Sequence, residues 1–291
     1  VIYKLKLLLE MIKFEHTVFA LPFAFTGAFL AARGLPTPMQ CLWIAIAMAG
    51  ARTSAMAFNR LVDMPFDARN PRTSQRELPS GKVSRVDAVI LIVASSFAYF
   101  LAAAMLNHLA LILSPFFLTV VLAYSYTKRF TWLCHLFLGL SIGLSPFSGW
   151  IAVKGAFSWE ALLLTLGVCF WVAGFDILYA SQDADFDQQT GLQSIPARFG
   201  IRQAFWFSAI LHVFAFLVFV AVGIVFRLSW PYFAGLFLTA VFFVIQRVVI
   251  KPNDLSRLNL AFFTLNGAVS LVVFVFTAIA LWWEAWQNVQ A

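Results

Sequence analysis

Trp159-Glu-Ala-Leu-Leu-Leu-Thr-Leu-Gly-Val-Cys-Phe-Trp-Val-Ala-Gly-Phe-Asp176-Ile-Leu-Tyr179-Ala-Ser-Gln-Asp183-Ala-Asp185-Phe-Asp187 begins as a membrane span and ends as an acidic cluster. Its apolar part matches the ~20 residues a helix needs to cross a bilayer. Carboxylates at the end of such a helix are costly unless they bind something, so they mark a functional site. A second stretch repeats the pattern, an apolar run leading into Asn59-Arg-Leu-Val-Asp63-Met-Pro-Phe-Asp67.

Working outward, apolar stretches of spanning length fall at 16–33, 39–62, 86–106, 109–126, 132–153, 159–182, 203–226, 230–250 and 259–283. With 62% hydrophobic and 11% charged residues among 291, the chain carries more apolar surface than a soluble fold of its length buries. The fold class expected is therefore all-α: a polytopic membrane protein of nine transmembrane helices, forming a single domain over 1–291. The opening Val-Ile-Tyr-Lys-Leu-Lys lacks the apolar core of a signal peptide and reads as an amphipathic helix on the membrane surface.

The formal charge of +7 does not indicate nucleic acid, because the basic residues are dispersed over short loops and helix ends. Sixteen of the twenty lie on the face that carries the acidic clusters, against Arg33, Lys154 and Arg227 on the other and Arg52 inside a span. The positive-inside rule makes the crowded face cytoplasmic, with the N-terminus inside and the C-terminus outside. Cys41, Cys134 and Cys169 lack metal or redox spacing. His108, His135 and His212 are isolated and read as satisfied or interfacial side chains.

Both acidic clusters follow an even-numbered span, so they emerge on one face. On a continuous helix Asn59, Asp63 and Asp67 share one stripe, Asp176, Asp183 and Asp187 another, and Asp185 points away. Pro65 is expected to end or kink the second span's helix, leaving the register of Asp67 open. Facing carboxylates repel unless a cation lies between them, and an all-oxygen donor set suits Mg²⁺ shared with a diphosphate. Asp63, Asp67, Asp176, Asp183 and Asp187 are the candidate metal ligands. Asn59, Arg72, Arg76, Lys128, Arg129 and Tyr179 are the candidate diphosphate-binding residues, with Arg69 and Arg198 nearby. Gly139 and Gly143 form a G-x-x-x-G read as close helix packing. Glu15 and His16 read as interfacial residues at the start of the first span.

These motifs resemble the UbiA superfamily of intramembrane aromatic prenyltransferases. Asn59, Asp63 and Asp67 match its first motif, and Asp183 and Asp187 its second. Further agreement lies in Arg72-Thr73, Arg76 through Gly81, Asp176 with Tyr179-Ala180, Tyr124 with Lys128-Arg129, and Gly191 through Gly200. Arg60 departs from the family, which often has Asp there. The resemblance implies helices around a central cavity, open sideways to lipid, in a bacterial cell membrane. It also implies Mg²⁺-dependent transfer of a polyprenyl group from its diphosphate to a small aromatic acceptor. In that reaction Asp63, Asp67, Asp183 and Asp187 hold the metal, while Arg72, Arg76 and Lys128 take up the leaving charge. The motif context resembles 4-hydroxybenzoate polyprenyltransferases of ubiquinone biosynthesis. The Lys13-to-Pro22 opening resembles the dihydroxynaphthoate, menaquinone branch. A transporter would need acids along a path to both faces. Here only Glu160 and Glu284 of the thirteen acidic residues lie on the far side.

Overall fold

A computed structural model describes residues 2–13, 21–258 and 261–290. Its helices are α1 (Ile2–Met11), α2 (Leu21–Ala32), α3 (Pro38–Asp67), α4 (Arg85–Leu106), α5 (His108–Thr127), α6 (Cys134–Lys154), α7 (Trp159–Ala180), α8 (Ala184–Thr190), α9 (Ile195–Phe199), α10 (Ile201–Val225), α11 (Trp230–Val249) and α12 (Asn266–Gln290). A 3₁₀ turn, Ser181–Asp183, joins α7 to α8, and a π-helical turn, Ala261–Leu265, precedes α12. Among the described residues there is no strand, only an isolated bridge between Lys251 and Asp254.

Among the described residues, eight helices are long and apolar enough to cross a membrane, by length and composition. The remaining expected span, the first at 16–33, is described from Leu21 to Ala32, and its beginning, with Glu15 and His16, lies outside the described residues. This all-helical bundle is what lipid requires, since a helix satisfies its own backbone groups.

Helix ends are set by local chemistry. Thr37 and Gln40 form a reciprocal capping box ahead of Pro38, with Gln40 N donating to Thr37 Oγ1 at 3.2 Å. Ser84, Asn107 and Ser158 cap α4, α5 and α7 through their side-chain oxygens. Asn107 also donates to Ile151 O at 2.8 Å, tying the α4–α5 corner to the end of α6. Gly155, at φ 60°, ends α6 in the left-handed region.

Pro65 does not end α3, which runs on to Asp67. A proline lacks the N–H but tolerates helical φ, so the helix loses one bond and continues. The carbonyl left without its helical donor is that of Leu61, and one residue on, Arg129 Nη2 donates to Val62 O at 2.7 Å.

Glycines bring α2, α6 and α7 into backbone contact. A Cβ on Gly149 would lie 2.0 Å from Ala24 O, and one on Gly139 would lie 2.3 Å from Cys169 O. The G-x-x-x-G of α6 is thus a packing seam against α7, as expected. The largest apolar core lies where α2, α7, α10, α11 and α12 meet, around Phe23, Trp171, Phe219, Tyr232 and Val273. On the other side of α6, helices α3, α4 and α5 stand off and enclose a cavity of about 1150 Å³.

Candidate functional site

Antiparallel connections return the segments after α3, α5 and α7 to one face of the bundle, and hydrogen bonds join them there. Gln193 N donates to Lys128 O at 2.7 Å, and Asn70 Nδ2 donates to Asp183 Oδ1 at 2.9 Å. Between them lies a polar pocket of about 110 Å³ lined by Asp63, Asp67, Asp183 and Asp187 together with Arg72, Arg76, Lys128 and Arg129.

Each acid in it has a partner. Asn59 Nδ2 donates to Asp63 Oδ2 at 2.8 Å, the i,i+4 contact expected on one helix face. Arg76 Nη1 lies 2.9 Å from both oxygens of Asp67. Arg72 grips Asp183 with a fork, Nε to Oδ1 at 2.9 Å and Nη2 to Oδ2, and its guanidinium also faces the Tyr179 ring at 5.6 Å. Lys128 Nζ is 2.8 Å from Asp187 Oδ1, while Ser194 Oγ donates to Asp187 Oδ2 at 2.9 Å. Burial works against the charge of Lys128 and of Arg72, but the facing carboxylates of Asp187 and Asp183 overcome it and hold both above their ordinary pKa. Arg129 stacks near Phe66 and Tyr126 and gives one arm to Val62 O.

Asp176 is set apart. The expected stripe with Asp183 and Asp187 assumed an unbroken α-helix, and the 3₁₀ turn at Ser181–Asp183 changes that register. Asp176 lines the large cavity instead, and its Oδ2 meets His135 Nδ1 at 2.7 Å. His135 Nε2 accepts from Ile195 N at 3.2 Å, so the proton sits on Nδ1 and is donated to Asp176. His135 is a satisfied side chain, as its isolation in sequence suggested. Asp185 is exposed, also as expected.

Sequence reasoning missed Asn70, Ser194 and the His135–Asp176 contact. The first two are short polar residues in loops, and their partners are more than 100 and seven positions away. Only Ser194, two residues before Pro196, carries a local signal, that of a helix cap.

The two cavities meet at Arg72 and Arg76, which line both. The larger is walled by Ala47, Ala51, Phe117, Ile142, Trp171 and Phe175, with polar exceptions including Arg52, Arg60 and Tyr124. A charged pocket that shares a wall with a large, mostly apolar one suits an amphiphile with an anionic head.

Comparison with known proteins points the same way. The model of the UbiA prenyltransferase family matches residues 20–268. A 4-hydroxybenzoate octaprenyltransferase of Methylobacillus flagellatus is 32% identical over 250 residues, covering 86% of this chain and 83% of that one. The structure of a UbiA homolog from Aeropyrum pernix K1 superposes with a TM-score of 0.83 at 37% identity, over 91% of this chain and 98% of the other. A UbiA homolog from Archaeoglobus fulgidus, solved with DMAPP and Mg²⁺, shares the fold at a TM-score of 0.65 and 18% identity, over 94% and 99% of the two chains. With its acidic and basic residues gathered at the mouth of an apolar cavity, and the match extending over most of its length, this chain belongs to the UbiA prenyltransferase family.

Proposed function

We propose that the chain, acting as one integral membrane domain, transfers a polyprenyl group from its diphosphate to an aromatic acid in quinone biosynthesis. 4-Hydroxybenzoate is the first choice of acceptor and a dihydroxynaphthoate the alternative. The observation that carries this reading is the shared wall at Arg72 and Arg76. A charged pocket and a large apolar cavity share that wall, which supports reading one as the diphosphate site and the other as the prenyl site, with the breaking C–O bond between them. The curated relative from M. flagellatus, named for that reaction, supports the acceptor class.

Mg²⁺ fits the donor set. Four carboxylates line the polar pocket, and no thiol or imidazole does. Among the described residues no three acids stand close enough to hold a metal as they are. Loading therefore requires Arg72, Arg76 and Lys128 to exchange their carboxylates for phosphate oxygens. The A. fulgidus homolog with DMAPP and Mg²⁺ supports this combination. Held by Asp63, Asp67, Asp183 and Asp187, the ion would neutralise the departing diphosphate.

This chain's own residues do the rest. Arg72 and Arg76 bind the leaving group by forks and Lys128 as a point charge, so negative charge developing on the bridging oxygen meets fixed cations. The allylic cation left behind is surrounded by Phe175, Phe262 and Tyr179, whose π faces favour positive charge. The apolar wall excludes water that would convert it to a prenol. Arg52 and Arg60 turn positive charge into the cavity, where the acid group of the acceptor would be held. The excess of basic residues on the site-bearing face makes it cytoplasmic, in a bacterial cell membrane.

The test is transfer from one polyprenyl diphosphate to hydroxybenzoate and dihydroxynaphthoate in parallel, with products identified by mass. Asp183→Asn is expected to abolish Mg²⁺-dependent transfer while leaving the bundle folded. Near-normal turnover in that variant would overturn the assignment.

A further inference from the structure

Asp176 is the one acid among the described residues that line the large cavity, whose wall otherwise carries cations such as Arg60, Arg72 and Arg76. A carboxylate in mostly apolar surroundings needs hydrogen-bond donors. One of its oxygens has a donor: buried His135 gives its Nδ1 proton to Asp176 Oδ2 at 2.7 Å. Oδ1 has none among the described residues, and the side chain keeps 20% of its surface exposed, toward the cavity it lines. His135 is itself held, because its Nε2 accepts from Ile195 N at 3.2 Å. The preceding residue, Ser194, donates to Asp187 Oδ2 at 2.9 Å. Two adjacent residues thus tie the Asp176–His135 pair to the acids of the polar pocket. Phe175 and Tyr179, on the same turn of α7 as Asp176, line the large cavity with it.

We infer that Asp176 determines specificity by reading the phenolic hydroxyl of the acceptor: Oδ1 accepts from that O–H, and His135 is the positioning residue that holds the carboxylate. The inference rests on the reading that this cavity takes a hydroxylated aromatic acid. A hydroxyl activates the ring carbons beside it and opposite it. In 4-hydroxybenzoate the opposite carbon carries the acid group, so the new C–C bond forms beside the hydroxyl. The hydroxyl must then lie next to the allylic cation, and Asp176 stands among the rings that face this cation. A hydrogen bond from O–H to a carboxylate is roughly twice as strong as a neutral one. It also draws the O–H electrons toward the ring and enriches the attacking carbon. A site built to accept from a substrate hydroxyl rejects the analogue that lacks it, because its own polar atom is then left unpaired.

The experiment takes whichever of hydroxybenzoate and dihydroxynaphthoate is prenylated, and its bare analogue, benzoate or naphthoate, as a competitive inhibitor in the same assay. In wild type the KM of the hydroxylated acid should lie at least about tenfold below the inhibition constant of the bare acid. An analogue with methoxy in place of hydroxyl cannot donate and should bind no better than the bare acid. Asp176→Asn keeps a carbonyl for His135 and turns an amide N–H toward the cavity. It should raise the KM of the hydroxylated acid about tenfold, with the bare acid and the polyprenyl diphosphate within about twofold of wild type. His135→Leu should give the same selective rise, and His135→Asn, whose amide N–H replaces Nδ1–H, should reverse most of it. If the Asp176 variant does not fold, the wild-type comparison decides alone: hydroxylated and bare acids bound within about twofold of each other overturn the inference. So do parallel losses for both acids in Asp176→Asn, an unchanged KM for the hydroxylated one, or a raised Mg²⁺ requirement, which would return Asp176 to the metal site. Failure of the wild-type protein to prenylate either acid would instead defeat the reading of the cavity.

Discussion

Arg72→Met separates two effects that most substitutions in a charged site confound. In the structure Arg72 occupies both oxygens of Asp183, with side chains 33% and 10% exposed, and Asn70 supplies one further donor. A cation and Arg72 therefore compete for the same carboxylate. Hydrogen bonds to charged groups contribute roughly 1.5–3 kcal/mol, and the partial exposure of Arg72 argues for the lower end. Removing the competitor should tighten divalent-ion binding in the absence of substrate by about 1.5 kcal/mol, or about tenfold. The same change removes a fork from the diphosphate, so its KM should rise by at least about tenfold at saturating Mg²⁺. Mn²⁺ binding to purified protein, followed by electron paramagnetic resonance, reads the first effect, and steady-state kinetics the second. The two must move in opposite directions. Unchanged or weaker Mn²⁺ binding in Arg72→Met would show that the Arg72–Asp183 pair persists when the site is loaded, and the partner-exchange scheme would be wrong.

Other outcomes follow from single contacts. Lys128→Met strands Asp187, which is 1% exposed, with only the Ser194 hydroxyl, and should lower the thermal midpoint, with a cost of about 3 kcal/mol. The folded-state pKa of Lys128 lies above its ordinary value, so the stabilisation is complete below about pH 10 and is lost as pH rises through the higher folded value. The difference in midpoint between wild type and Lys128→Met should thus be constant from neutral pH to about pH 10, and shrinkage already below pH 9 would refute the pairing. Gly149→Ala forces a Cβ to within 2.0 Å of Ala24 O and should destabilise the α2–α6 contact by about 1–3 kcal/mol, read as a lower midpoint in detergent.

Much of the architecture was legible because lipid leaves few choices. Each apolar stretch read from sequence has its helix, with ends displaced by a few residues where caps such as Thr37 and Ser84 act. Asp63, Asp183 and Asp187 are expected on one face from spacing, since i,i+4 acids share a helix face and two even-numbered spans end on one side, while the register of Asp67, beyond Pro65, stays open. What spacing cannot carry is a change of helix type: the 3₁₀ turn at Ser181–Asp183 moved Asp176 out of the polar pocket and against His135. Of the two outcomes expected at Pro65, termination did not occur, because a helix already held by its neighbours survives one missing bond. Asn70 with Asp183, and Arg60 with Met11 O, are contacts between distant segments and leave no periodic trace.

The glycine seams divide the bundle mechanically. Gly27, Gly139, Gly143 and Gly149 let α2, α6 and α7 touch through main-chain atoms, which leaves that half no slack to yield. On the far side of the hollow α4 and α5 are thinly covered, with Val93, Phe97, Leu101, Ile112 and Phe116 facing outward. Guests of different girth or length meet side chains rather than main chain along the α4–α5 hairpin. A screen for altered tail preference has most to gain there, at Tyr99, Ala103, Leu106, Ala110 and Leu118 along its inner lining.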